Sequence, residues 1–442
     1  MRVLALASVG EKKSDARAKI YVAGPKLILR RHALMQALLI ASFAMSGRVE
    51  AACTPASPVN NTIVTCTGKT TNQNGTNGYG TVNDNNNTYN IQVGATVTGD
   101  DFGVVFGTGA TINNHGTITG GIGISGSDAT INNTSTGVIT GDTNGVQATT
   151  ATVRNAGLIS AMGVSAAGGN GVGISADTAD VNNTSTGHIT GTFSGIGTST
   201  LVAVNNAGAI SGGRLGIIGD TARVINAGAI AAGGAAIFAS AANATSSGAG
   251  TISGGRFGIF ASTVASITNA GIISGNIGIQ AGGAATITNS SAIISTAGAS
   301  GTAIKLSNTA DTLTLLTESR IVGAVDMGFG NDTVNTATVA PGSKVSSPAT
   351  AAALPTFINF SGVINTSFTG GRFTDPAVLA GNQLATLDPT ALAADRPRLD
   401  GFHRPCRRGC RAVSTAWRHP RTLRAHQGLK HPSALKGSKN DR

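Results

Sequence analysis

Apolar and polar positions between residues 100 and 310 follow a ruler that restarts about every 21 residues, with no helical stripe. ATINNHGTITG at Ala110 returns as VNNTSTGHITG at Val181, VNNAGAISGG at Val204, VINAGAIAAGG at Val224, SITNAGIISG at Ser266 and TITNSSAIIS at Thr286. An anchoring asparagine falls at Asn114, Asn133, Asn155, Asn183, Asn206, Asn226, Asn269 and Asn289, with Ser247 standing in once. A repeat of this length predicts a solenoid.

Two positions before each anchor sit Ile112, Ile131, Val153, Val181, Val204, Val224, Thr245, Ile267 and Ile287, a β-branched column suited to an inward strand position. A second column follows the anchor without exception: Ile118, Ile139, Ile159, Ile189, Ile210, Ile230, Ile252, Ile273 and Ile293. A third stretch alternates in most repeats, as in Ile122-Gly-Ile124, Val172-Gly-Ile174, Leu215-Gly-Ile217, Phe257-Gly-Ile259 and Ile277-Gly-Ile279. Three short strands per coil make an all-β parallel β-helix over about residues 80–340. Stacked amides of the anchors would hydrogen-bond along its axis. Residues 52–80 read as the N-terminal cap region, and the Asn-rich segment Asn72–Asn90 as the cap itself. The extra residues Met162 to Asn170, in the 28-residue step between Asn155 and Asn183, are expected to protrude.

Composition fits a rod with a thin interior: 62 Gly and 4% aromatics. The formal charge of +11 is unevenly placed. Residues 1–34 hold eight Lys+Arg and two acids, residues 396–442 thirteen and two, which leaves 35–395 with ten and sixteen, a net of −6. A mildly acidic body gives no nucleic-acid footprint.

Arg30-Arg31-His32 leads into the apolar run Ala33 to Met45, and Val49-Glu50-Ala51 supplies a small-residue cleavage site. The run is too short for a membrane span and has the three-part layout of a Sec signal cut after Ala51, so residues 1–51 read as an extension plus signal peptide. Export lets Cys53 and Cys66 be read as a disulfide near the new N-terminus, with two unpaired thiols as the alternative.

After this signal come CTPASPVNNTIVTCTGKTTNQNGTNGYGT from Cys53, the INNAG-type coils and DTLTLLTESRIVGAVDMGFGNDTVN from Asp311. Together they resemble the passenger of a bacterial autotransporter. GNQLATLDPTALAADR from Gly381 to Arg396 is similar to the linker before the translocation barrel in that family, which assigns 341–396 to a linker. The resemblance implies a right-handed β-helix and an adhesin-like rod at the cell surface, in the outer membrane or secreted. Its partners would be the Sec machinery and a component of a host cell, neighbouring cell or matrix, and it would reach the surface through an outer-membrane translocator. The barrel is missing from this sequence. Residues 397–442 carry twelve Lys+Arg, four His, Cys406, Cys410 and Trp417, and read as an out-of-frame or disordered basic tail. A chain so ended is expected to stay in the periplasm.

Candidate chemistry is sparse. Cys406, Cys410, His419, His426 and His431 fit no zinc-finger spacing well. Gly328-Phe-Gly330-Asn-Asp332-Thr-Val334 echoes a calcium-binding nonapeptide but occurs once, and reads as a strand turn. Many β-helices cleave acidic polysaccharides, which needs clustered carboxylates on adjacent coils. Between 102 and 300 there is no Glu, and the only acids are Asp128, Asp142, Asp177, Asp180 and Asp220, with His115 and His188 nearby on the ruler. Asp177 and Asp220 share a face but stand two coils apart. A polysaccharide-active enzyme is therefore the second reading after a non-catalytic binder, and no catalytic, cofactor or metal residues are assigned.

Overall fold

The computed structural model of the chain describes residues 52–163, 170–337, 355–367, 375–380 and 383–386. The expected signal peptide with Ala51, most of the segment Met162–Asn170 expected to protrude, and residues 397–442 lie outside them. The described residues are nearly all β, stacked as a parallel solenoid of about 12 turns, with one 3-10 turn at Gly298–Ser300. At roughly 4.8 Å per coil the stack runs to about 55 Å.

Each coil contributes one inward side chain to each of three columns. The strand Val138–Asn155 alone supplies Ile139, Val146 and Val153 to all three. The first column runs from Val64 through Tyr89, Ile112, Ile131, Val153, Val181, Val204 and Val224 to Ile267, Ile287, Leu313, Val334 and Ile364. The second holds Val97 and then Ile118 through Ile293 in unbroken register. The third holds Tyr79, Val104, Ile124, Val146, Ile174, Ile196, Ile217, Ile237, Ile259, Ile279 and Ile304. Most of these side chains have no exposed surface. Each is worth about 2–3 kcal/mol of burial, so stability sums coil by coil instead of converging on one centre.

Inside the corner after the first face, the asparagines form a ladder. Each Nδ2 donates to the next Oδ1 at 2.8–2.9 Å, from Asn114 through Asn133, Asn155, Asn183 and Asn206 to Asn226. Asn269 bonds Asn289 at 2.8 Å, and Asn289 ends on Ser319 Oγ at 2.7 Å. The same Nδ2 groups also reach corner carbonyls, as Asn133 does at Gly137 and Leu158. A fully buried amide with every polar atom used is stabilising; one left unpaired would cost about 1–3 kcal/mol.

Three expectations need correction. The eccentric rung is Ser246, not Ser247, and Ala244, not Thr245, faces inward: Ser246 pairs in register with Asn226 and Asn269, and Thr245 is exposed. The solenoid also outruns 80–340. Ile63–Cys66 already pairs in parallel with Thr88–Ile91, so Asn72–Asn90 belongs to the first coils instead of capping them. At the other end Gly362–Ser367, inside the expected linker, pairs in parallel with Asp332–Ala337. Finally, the third stretch is not a straight alternation. Ile217 lies in the interior, whereas Leu215 belongs to a separate external cluster. A Cβ at Gly216 would stand 2.9 Å from the interior Ile230 Cγ2, so the glycine points inward and the chain bends around it.

At the N-terminal end Cys53–Thr54 crosses antiparallel to Thr65–Cys66, and the Cys53–Cys66 disulfide locks the crossing. Asp84, fully buried, accepts from the Val59 and Thr81 amides and from Ser57 Oγ at 2.5 Å, tying the leading segment to the first coils. In the interior of the first coils the buried rings of Tyr79, Tyr89 and Phe106 pack against one another, Tyr79 edge-on to Tyr89 at 5.9 Å and Phe106 tilted against Tyr89 at 6.1 Å.

Candidate functional site

A solenoid interior contacts no partner, so the buried ladder asparagines and the disulfide build the scaffold, and binding chemistry belongs to the outward positions. On the first face these are mostly small and polar: Thr88, Thr111, Thr130, Thr152, Asp180, Ala203, Arg223 and Asn243 form one outward column. Asn90, Asn113 and Asn132 form a second, outer amide ladder at 2.9–3.0 Å.

The carboxylates and histidines raised by the sequence stay apart. Asp177 is exposed at a corner, where its Oδ1 accepts from Ser199 Oγ at 2.8 Å. Asp220 is exposed at the equivalent corner two coils on. Asp180 faces out from the first face, with Ala203 between it and Arg223, over an open hollow of about 380 Å³. His188 is exposed on the second face and His115 is half-buried three coils earlier. Asp332 of the nonapeptide-like phrase is buried: its Oδ1 accepts the Asp311 amide at 3.0 Å, and Asp311 Oδ1 accepts the Ala285 amide at 2.7 Å. Burial above all, and then the neighbouring Asp332, push the Asp311 carboxyl up to about 6.

A different group of residues is brought together on the third face. Ser194, Leu215, Ala235, Phe257 and Ile277 stack in one outward row, and Gly197, Ile218, Phe238, Phe260 and Gln280 in the next. At the corner just before, Phe193, Arg214, Gly234 and Arg256 stack through successive backbone bonds of 2.8–3.0 Å. The outcome is an apolar patch on the exterior, with Leu215, Ala235 and Phe257 as its floor and Phe193, Ile218, Phe260 and Ile277 around them. Phe238 and Phe260 stack at 4.9 Å, and Phe257 lies 5.2 Å from Phe260. The Arg214 guanidinium sits 5.7 Å from the Phe193 ring centre and that of Arg256 sits 4.8 Å from Phe257, both within cation–π reach. They frame an open hollow of about 320 Å³ lined by Phe193, Arg214, Leu215, Gly234, Phe238 and Phe257 among others.

The sequence reading passed over this site. Its signal lay in GTFSGIG, GGRLGII, GGAAIF and GGRFGIF, once their GxI or AxI units are aligned and the residues on either side are read as columns. An apolar, arginine-edged surface is what interaction hot spots are made of, whereas scattered exposed apolar residues are unremarkable. Compared with protein-family models, curated proteins and solved structures, the chain has no significant match.

Proposed function

We propose that this chain is an exported, autotransporter-like passenger whose solenoid acts as an adhesin-like rod, binding a component of a host cell, neighbouring cell or matrix without chemical turnover. Export through the Sec machinery, passage to the outer membrane through a translocator and display at the surface are part of the same reading and rest on the sequence resemblance.

The observation that carries the binding part is the third-face patch. On a solenoid whose other exposed apolar residues, such as Ile225, Val264 and Ile272, are scattered, four phenylalanines and two arginines share one surface across four coils. These rings lie outside the interior columns, which are already filled, and Phe238 is 36% exposed, so they present apolar surface to the outside. Asp177, Asp180 and Asp220 support the same reading from the other side, because they do not cluster as hydrolytic carboxylates must: Asp177 and Asp220 stand two coils apart at one corner, and Asp180 lies on the first face.

The test is to incubate the purified chain with cultured host cells and extracellular matrix, and separately with pectin-like polymers. Saturable adhesion with no release of reducing sugar ends is the expected result. Depolymerisation that disappears in Asp177→Ala would overturn it in favour of an enzyme.

A further inference from the structure

We infer that the groove between Arg214 and Arg256 binds an acidic oligosaccharide, a sugar chain carrying carboxylate or sulfate on alternate residues. This rests on the surface-binding reading above and names the ligand class of its patch.

Charge gives the first argument. Only Arg154, Arg214, Arg223 and Arg256 are cationic between residues 102 and 300, and two of the four edge this one groove. None of the five aspartates of that segment lines it. The groove is positive without an internal counter-charge, so the counter-charge belongs to the ligand.

Geometry gives the second. Each guanidinium lies within cation–π reach of a phenyl ring, and a guanidinium can meet a carboxylate or sulfate in a two-pronged contact. One coil separates the two arginines, and it carries Gly234 and Ala235, which keep the floor low between them. The arginine positions are thus two coil spacings apart, roughly 10 Å. That span exceeds a single sugar ring and suits charges on every second sugar. Phe193, Phe238 and Phe257 offer ring surface to the C–H faces of the sugars between, whose partial positive charge complements the π cloud.

The face itself argues against a peptide. Its backbone N–H and C=O groups are consumed in the inter-coil ladders, so no edge is available for strand addition. A hollow of about 320 Å³ also suits a short sugar segment better than a helix.

The experiment is calorimetric titration of the full chain with a hyaluronan tetrasaccharide, whose carboxylates fall on every second sugar, with cellotetraose as the uncharged control. Binding of the first and not the second is expected, weakening as salt is raised. Arg214→Ala and Arg256→Ala should each weaken it about 10-fold, and the double variant should abolish it. Both arginines are exposed, so the variants should melt with the parent chain, which keeps a loss of binding from being a loss of fold.

Equal affinity for cellotetraose, or unchanged affinity in the double variant, would overturn the proposal. So would concentration-dependent self-association that Phe238→Ser abolishes, since a second copy of the chain would then be the occupant. Adhesion to matrix by a chain that ignores the tetrasaccharide would end this inference and leave the surface-binding reading standing; absence of both would end both.

Discussion

The asparagine corner and the third face are built on the same coils and follow opposite rules. At the corner the same residue repeats from Asn114 to Asn289 with Ser246 as the one exception, and repetition is the mechanism, because each amide satisfies the next and all are sealed from water. On the outer third face neighbouring coils differ, Ser194 giving way to Leu215, Ala235 and Phe257 in one row. Uniformity propagates the fold, and departure from it marks the place where the surface does something besides stacking.

The comparison is broken most severely at the centre of the ladder. Asn155 donates to Asn183 and accepts from Asn133, so Asn155→Ala removes two ladder bonds and leaves buried partners unmatched. A loss of about 3 kcal/mol is expected in chemical denaturation, with lost amide-exchange protection in the flanking coils first.

A smaller effect carries a sign set by pH. Asp311 has its carboxyl raised from 3.8 to about 6, chiefly by burial, so the folded state holds its proton more tightly than the unfolded chain does. Its contribution is complete below the unfolded value and is lost as pH rises through about 6. Melting temperature should therefore fall between about pH 4 and pH 6 and level off above that, and Asp311→Asn, which keeps an acceptor for the Ala285 amide, should flatten that fall. An equal fall in the variant would assign the pH dependence elsewhere.

The ladder can also be improved at its one break. Ser246 is buried with an unpartnered Oγ, between Asn226 and Asn269. Gly250 stands beside it as Gly137 and Gly187 stand beside their asparagines, so an amide fits there. Ser246→Asn should raise stability by about 1 kcal/mol, measured by the denaturant midpoint. The smallest effect belongs to the other region: Phe238→Ser, at a position 36% exposed, should stay within about 0.5 kcal/mol of the parent while weakening adhesion.

These contrasts also explain what the sequence disclosed. Columns such as Ile118 to Ile293 and the anchors Asn114 to Asn226 were legible because one residue type recurs at one place, and periodicity needs nothing else. Ser246 was misassigned to Ser247 because two serines stand together in NATSSGAG, and only strand pairing decides which of them alternation turns inward. The first coils escaped notice because Tyr79 and Tyr89 replace the usual Ile and Val. The patch was hidden for a deeper reason. Phe193, Arg214, Phe238 and Arg256 sit in four separate repeats and meet only through register, and the bend at Gly216 puts Leu215 outside where simple alternation puts it inside.

The most direct measurement of the central claim, that contact is made through the third face, is hydroxyl-radical footprinting of the full chain, free and bound to matrix. Phenyl rings are reactive probes and are spread unevenly over this surface, so the readout locates the contact without assuming it. Protection at Phe193, Phe238 and Phe260, with the outward first-face residues Ile225 and Thr245 unchanged, is the result expected. Protection on the first face around Asp180 and Arg223 with the phenylalanines still reactive would contradict it.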